Sequence, residues 1–464
     1  MKEGQKIASR LSFREKFSYG LGDVGNNFLF DMGQIYLLKF YTDSLGLPPS
    51  VAGMLFLITK LLDGFTDIGV GTWIDSRKKY GKLGKFRPFM LYATVPLALC
   101  TAVSFYVPDF ELNGRIIWAY LSYALFGLAY TIFNIPYGSM IPAMTKDPVE
   151  RSSMASFRWA GATMGLLITS VAFIPLVTIT SDLFGPRYSY FAAASVFAVV
   201  GCILQLTCTL NVKERYVEQK PKEVKGSLIK SYLGIAKNAP LLILCLVNLL
   251  TFSAFNVKLA VQVYFCEYVL HDISVVPYLG FFSIGCVFIG IACVQPLVRR
   301  MGKKATYVLG AIIWGGADIA ALFLANNTIS FIIFACIAFY GTAFINTLNW
   351  ALISDAVEYG EWKTGLRSEG VIYSFFTFFR KLSQALAGFI PGVILAAVGY
   401  VANQQQTPQA IEGIRGLMFL YPGALAIATF LIMYYGYKLT DKRYEEIVRE
   451  MDERKKQGST SINQ

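Results

Sequence analysis

Residues 57–88 read LITKLLDGFTDIGVGTWIDSRKKYGKLGKFRP, an apolar stretch that holds Lys60, Asp63 and Asp67 and then runs into a dense basic segment. A charged side chain at the centre of a lipid-embedded helix costs about 2.5 to 3.5 kcal/mol, so each one requires a partner, a water-filled cavity or a function. Asp63 and Asp67 lie four residues apart and share one helix face. Two carboxylates so placed repel unless a proton, a metal cation or a basic side chain stands with them. Lys60 can neutralise one of them, which leaves Asp67 over.

The rest of the chain supplies the lipid context. Of 464 residues 55% are hydrophobic and 16% charged, and the mean hydropathy is +0.49, values of a polytopic membrane protein. Apolar stretches long enough to span a bilayer recur at 17–42, 50–74, 88–107, 115–140, 152–178, 187–211, 238–265, 276–297, 305–325, 329–354, 370–399 and 412–437. The expected fold class is therefore all-α, with twelve transmembrane helices in two six-helix halves of the major facilitator type. The halves are 1–211 and 238–440, joined by a polar linker at 212–237 and followed by a charged tail at 441–464. The polar start has no small-residue cleavage site, so the first span is expected to be retained.

The net charge of +12 does not indicate nucleic acid, because the basic residues cluster in alternate loops. Arg10, Arg14 and Lys16 precede the first span; Arg77, Lys85 and Arg87 follow the second; Lys213 and Arg215 follow the sixth; Arg299, Arg300, Lys303 and Lys304 follow the eighth. By the positive-inside rule these loops, the linker and both termini are expected in the cytoplasm, with the chain a multi-pass protein of the inner or plasma membrane. The basic loop after span 2 and the segment PLVRRMGKKA after span 8 stand at equivalent places in the two halves. They serve either as topogenic charge or as gates that pair with helix ends.

The eight cysteines lie in or beside apolar stretches without metal-ligand spacing and are expected to be packing residues; no tightly bound metal is implied. The single histidine, His271, falls in an expected outer loop, so any proton carried through the membrane must ride on carboxylates. No selectivity filter, nucleophile elbow or other catalytic constellation is visible, which argues against a channel and against an enzyme.

Other polar residues inside spans extend the candidate site. Asp23, Asn27 and Asp31 follow at steps of four on span 1, with Asn26 adjacent. In span 4, AYTIFNIPYGS places Tyr130, Thr131 and Asn134 before Pro136, which frees a backbone carbonyl; such oxygens suit a small cation or interhelical hydrogen bonds. Arg158 on span 5 and Lys381 on span 11 are donors, and Tyr373 and Thr377 share a face with Lys381. Charged donors and aromatic walls are what sugar recognition uses. After span 10, SDAVEYGEWKTGLRSEG is read as a short inner loop in which Asp355, Glu358 and Glu361 form either a solvated salt-bridged turn or a latch for the basic loops.

Together SYGLGDVGNNFLFDMGQIYLLKFYTD, the Asp63–Asp67 pair, GKFRPF, YTIFNIPYGS and DAVEYGEWKTGLRSEG resemble the glycoside-pentoside-hexuronide cation symporters, the group that contains melibiose permease. The resemblance covers nearly the whole chain. It implies a cation site at Asp63, Asp67 and Thr131, with Asn134 nearby, and sugar contacts from Asn27, Asn134, Arg158, Thr377 and Lys381. It also implies H+ or Na+ as coupling cation, no cofactor, and a functional monomer in the bilayer whose partner is a small glycoside. Melibiose permease has aspartates where this chain has Asn27 and Asn134, and tryptophans at Gly138 and Asn346. Those departures reopen the ion and the substrate, and the span 1 asparagines and GYVANQQQTPQAIEGIR look more like xyloside permeases and glucuronide carriers. The expectation is cation-coupled symport of a glycoside, leaning to a β-xyloside or other pentoside, with glucuronide or another hexoside as the alternative and a sugar sensor as the distant one.

Overall fold

The computed structural model describes residues 11–76, 81, 83–145, 147–216, 238–325, 327–364 and 369–460. Helices in chain order are α1 (Phe13–Lys39), α2 (Pro49–Ser76), α3 (Arg87–Ser104), α4 (Leu112–Met144), α5 (Pro148–Phe184), α6 (Pro186–Asn211), α7 (Ala239–Tyr264), α8 (Val275–Leu324), α9 (Thr328–Thr364), α10 (Glu369–Ala397), α11 (Pro408–Arg415), α12 (Tyr421–Leu431) and α13 (Asp441–Thr460). α8 is continuous in hydrogen bonding but broken at Gly302, whose φ of 85° divides it into the two spans expected there. α11 and α12 are joined by the π-helical turn Gly416–Leu420. Among the described residues seven helices are long and apolar enough to cross a membrane. α1 and α2, which carry several of the site's charges, lie outside that set.

The helices begin and end where local chemistry dictates. Ser12 accepts from the backbone of Glu15, and the Glu15 carboxylate returns a bond to Ser12, a capping box that fixes the start of α1. Pro136 and Pro142 lie inside α4, where lipid-facing backbone must find partners in its neighbours. Leu99, Ile117, Val199 and Ile203 are exposed, as suits side chains that face acyl chains.

By contact density the chain forms two compact units. The first comprises Met1–Pro221, Leu259–Phe281 and Gly388–Ile411; the second comprises Lys222–Lys258, Phe282–Ala387 and Glu412–Gln464. In the first, α1 packs on α5 and α6, α3 on α4 and α6, and α2 on α4. A Cβ built on Gly161 of α5 would lie 2.2 Å from the carbonyl oxygen of Gly20 of α1. Only glycine allows that approach, the small-residue contact by which helices pack in lipid. At the far end of α1, Phe40, Phe105, Phe173 and Tyr190 pack at tilted angles as an aromatic core. The second unit is centred on Tyr307, Trp314, Phe344 and Tyr437. Within it Asp318 accepts from Lys258 and, at 2.8 Å, from Trp314 Nε1, so this buried charge is matched one for one.

One reading from sequence changes. Asp355, Glu358 and Glu361 stand on the last turns of α9, which runs to Thr364, and not in a loop. Their spacing of three residues keeps them near one face of a helix that simply continues.

Candidate functional site

The close α1–α5 contact brings Arg158 onto Asp23. Nε lies 2.8 Å from Oδ2 and Nη2 3.4 Å from Oδ1, and the guanidinium sits 4.7 Å from the centroid of Tyr137. Tyr137 and Tyr19 exchange hydroxyl-to-carbonyl bonds of 2.6 and 2.7 Å, which lock α4 to α1 beneath it. Asp23 uses the Nε–Nη2 edge alone, so Nη1 keeps its donors for another acceptor.

One turn along α1, Asn27 donates to the Asp23 carbonyl at 2.7 Å, while Asn26 turns to α4. Asn26 Nδ2 donates to the Tyr130 hydroxyl at 3.2 Å and, at 3.4 Å, to Asn134 Oδ1. Asn26 Oδ1 is buried and accepts no hydrogen bond among the described residues. Phe30 stacks on Tyr130 with centroids 4.8 Å apart, giving a flat aromatic wall beside these amides. Asp31, half-buried, stands one turn further on α1.

Asp63 and Asp67 lie on α2 against α4. Thr131 donates to Asp67 Oδ1 at 2.8 Å, and Lys60 Nζ lies 3.3 Å from Asp63 Oδ2. The Lys60 ammonium also rests 4.9 Å from the Phe30 ring centroid and 5.4 Å from that of Tyr123. A Cβ at Gly127 would lie 2.3 Å from Asp63 Oδ1, so α4 offers bare backbone where the carboxylate sits. The arrangement is two carboxylates with one internal cation and one hydroxyl. Among the described residues no group of three or more histidine, cysteine, aspartate or glutamate side chains could hold a metal.

Tyr373, Thr377 and Lys381 lie in the second unit on α10. Tyr373 stacks on Trp350, and the Thr377 hydroxyl donates to the Tyr373 carbonyl at 2.8 Å. Lys381 is half-buried.

Of the expected gating residues, Arg77 lies outside the described residues. Lys85 ends the loop before α3 and Arg87 is the first residue of that helix; Glu214 clasps this junction, its carboxylate accepting the backbone N–H groups of Lys85, Phe86 and Arg87 at 2.7, 2.8 and 2.9 Å. Arg87 also donates to the Thr209 carbonyl at 3.0 Å. The second unit repeats the device: Asp441 accepts from the Lys303 N–H at 2.8 Å. In both places the residue before the capped lysine is a glycine at positive φ, Gly84 at 87° and Gly302 at 85°. Lys303 Nζ then pairs with Asp355 at 2.5 Å, and Tyr444 of α13 donates to Glu358 at 2.5 Å. Burial and the adjoining Glu358 carboxylate hold the Tyr444 hydroxyl above its ordinary value, so it stays a donor. Glu361 is half-buried beside them.

A family model described as MFS/sugar transport protein matches residues 18–441. The chain belongs to that family. Within it the chain falls in the glycoside-pentoside-hexuronide symporter group, and this sugar transport protein is a carrier and not an enzyme. It is 49% identical, over 96% of its length and 97% of the relative's, to an Escherichia coli protein provisionally named a 2,3-dihydroxypropane-1-sulfonate exporter. It is 47% identical, over 98% and 97%, to an E. coli protein provisionally named a sulfoquinovose importer. Its fold is similar to that of a mutant of the nucleoside transporter NupG, with a TM-score of 0.64 at 13% identity, covering 90% of this chain and 100% of that one. The major facilitator architecture of this membrane carrier agrees with the expectation from sequence.

Sequence reasoning missed Tyr137, Glu214 and Asp441 as supports of these sites. A tyrosine in an aromatic-rich chain gives no local signal. The two acids do have one, since each stands in the polar sequence just after an apolar stretch, 187–211 for Glu214 and 412–437 for Asp441.

Proposed function

We propose that this carrier moves a small polyhydroxylated sulfonate, of the sugar-sulfonate class, across the cytoplasmic membrane by alternating access, coupled to a cation taken at Asp63 and Asp67. The observation that carries the reading is the one-sided Arg158–Asp23 contact. A sulfonate is anionic at every physiological pH and must be met by a donor that also keeps its charge; arginine does, and its Nη1 side is left for the anion. Asn26 Oδ1 and the Tyr130 wall then suit hydroxyls and the apolar edge of a sugar. The sulfonate names of relatives at 47 and 49% identity support this class over the neutral pentoside favoured from sequence alone. Their names differ in direction, which is consistent with a reversible carrier whose flux follows the imposed gradients.

For coupling, the carboxylate of Asp67 and the hydroxyl of Thr131 supply oxygens, and the Lys60 ammonium balances Asp63 while the site holds no ion. A cation and substrate that both favour one closed conformation raise each other's affinity, and that mutual term is the coupling. Uptake in membrane vesicles with sulfoquinovose, 2,3-dihydroxypropane-1-sulfonate, a glucuronide and a β-xyloside, under separately imposed proton and sodium gradients, tests both parts. Accumulation of a sulfonate under one cation gradient is expected. Accumulation of the xyloside alone rejects the substrate class, and sulfonate movement indifferent to both gradients rejects symport.

A further inference from the structure

Two helices of the second unit, α8 and α9, approach unusually closely at Gly290. A Cβ built there would lie 2.6 Å from the Ala343 Cβ and 2.9 Å from the Tyr340 carbonyl oxygen. One turn earlier on each helix stand Cys286 and Cys336, and the two thiols are neighbours. From Gly290 to Tyr340 and from Cys286 to Cys336 the sequence offset is the same, 50 residues. Contacts at a constant difference, rather than a constant sum, mean that the helices run in the same direction here. A step of four residues therefore keeps both partners on one seam, and the cysteines face each other for the reason that Gly290 faces Tyr340. All of these residues lie within the second unit, and neither thiol has a part in the sites above.

The seam opens to lipid. Both cysteines are half-buried, and around them Phe288, Ile289, Ile333 and Ile337 are exposed apolar side chains of the same two helices. Cys286 stands about 16 Å along α8 from Val275 and Cys336 about 12 Å along α9 from Thr328, well inside an apolar layer about 30 Å thick. A reagent dissolved in the acyl chains reaches this place, and one dissolved in water does not. The Ser283 hydroxyl adjoins Cys336; it is buried and has no hydrogen-bond partner among the described residues. It is a donor left for a sulfur that becomes a thiolate, the reactive form of a cysteine.

We propose that Cys286 and Cys336 are a membrane-embedded dithiol, which an alkyl hydroperoxide of the lipid phase oxidises to a disulfide that staples α8 to α9. One sulfur attacks the terminal oxygen of the hydroperoxide; the O–O bond breaks, the alkoxide leaves as an alcohol with the thiol proton, and the sulfur becomes a sulfenic acid. The second sulfur then attacks the first, and the hydroxyl leaves as water with the second thiol proton. Two thiols have lost two electrons and two protons, and one hydroperoxide has become one alcohol and one water. The pairing is selective. Cys293 lies two turns from Cys286 on the same helix, about 10 Å along the axis, beyond the Cα separation of about 7 Å that a disulfide tolerates. The staple joins two helices of one compact unit, so it stiffens that unit and leaves carrier motion free. The dithiol does not depend on which substrate is carried.

The test uses the full chain in lipid vesicles, exposed to cumene hydroperoxide or to hydrogen peroxide at equal concentration, then alkylated, digested and read by mass spectrometry. A linked peptide joining Cys286 to Cys336 is expected, reversed by reductant and formed several-fold faster with the lipid-soluble oxidant. Oxidation is expected to raise the melting temperature of the reduced carrier and to leave uptake unchanged. In Cys336→Ser the link and the melting shift disappear, and Cys286 is expected to be captured by dimedone as the sulfenic acid; Cys286→Ala is the second variant and loses the same link from the other helix. Ser283→Ala is expected to slow linkage several-fold with no change in the melting of the reduced protein. Consumption of both thiols without the linked peptide overturns the dithiol, as does linkage to Cys293 in equal yield. Equal rates with the two oxidants overturn the lipid phase as the source of the oxidant, and loss of uptake on linkage overturns its confinement to one unit.

Discussion

Arg158 grips Asp23 by one edge only, through Nε at 2.8 Å and Nη2 at 3.4 Å, although the two residues come from different helices. Asp23 is buried, so its charge depends on that partner. Removing one member of a buried pair leaves the other uncompensated, whereas removing both does not.

Thermal unfolding in detergent should therefore show Arg158→Met losing stability on the order of 3 kcal/mol, with Asp23→Asn/Arg158→Met recovering most of it. Equal losses in the single and double variants would mean that packing of the guanidinium on Tyr137, and not charge pairing, holds α5 in place.

The hydroxyl of Thr131 on α4 donates to the Asp67 carboxylate at 2.8 Å. A hydrogen bond to a charged group contributes about 1.5 to 3 kcal/mol, so Thr131→Val is expected to raise the cation concentration for half-maximal drive by about tenfold or more. Asp67→Asn should abolish gradient-driven accumulation while substrate exchange at equal concentrations continues. Accumulation that survives Asp67→Asn removes that residue from the ion site.

Gly161 lies so close to Gly20 that any side chain must separate α1 from α5. Gly161→Val is expected to abolish the folded carrier or lower its melting temperature steeply, because two helices and the Arg158–Asp23 contact move together. Gly138, where a Cβ would meet nothing within 4 Å, gives the control: Gly138→Ala should leave melting unchanged.

Glu214 caps Lys85 in the first unit as Asp441 caps Lys303 in the second. Limited trypsin digestion of inverted vesicles should cut the loop before α3 several-fold faster in Glu214→Gln, because a neutral amide accepts less strongly from three backbone N–H groups. Unchanged cutting would show that Arg87, through its bond to the Thr209 carbonyl, suffices to hold the loop.

Much of this protein was legible locally. Hydropathy marks lipid spans by length, and the four-residue spacing of Asp63 and Asp67 puts them on one face whatever surrounds them. The position of Asp355, Glu358 and Glu361 was misread as a loop because their polarity suggested water, and water does not end a helix that has no breaker. The pairing of Lys39 with Asp43 and Glu267 was not legible at all, because in the sequence these residues look like ordinary charges at the ends of spans.

The sequence by itself determined the helical membrane class and the face on which the α2 carboxylates stand, because helix periodicity and transfer into lipid act over a few residues at a time. Only the tertiary structure decided which charges meet: Arg158 with Asp23 across 135 residues, Thr131 with Asp67 across 64, and Tyr268 with Asp43 across 225. Those pairings depend on how closely one helix can approach another, and that is set by glycines such as Gly161 and Gly127 acting on partners far away in the chain.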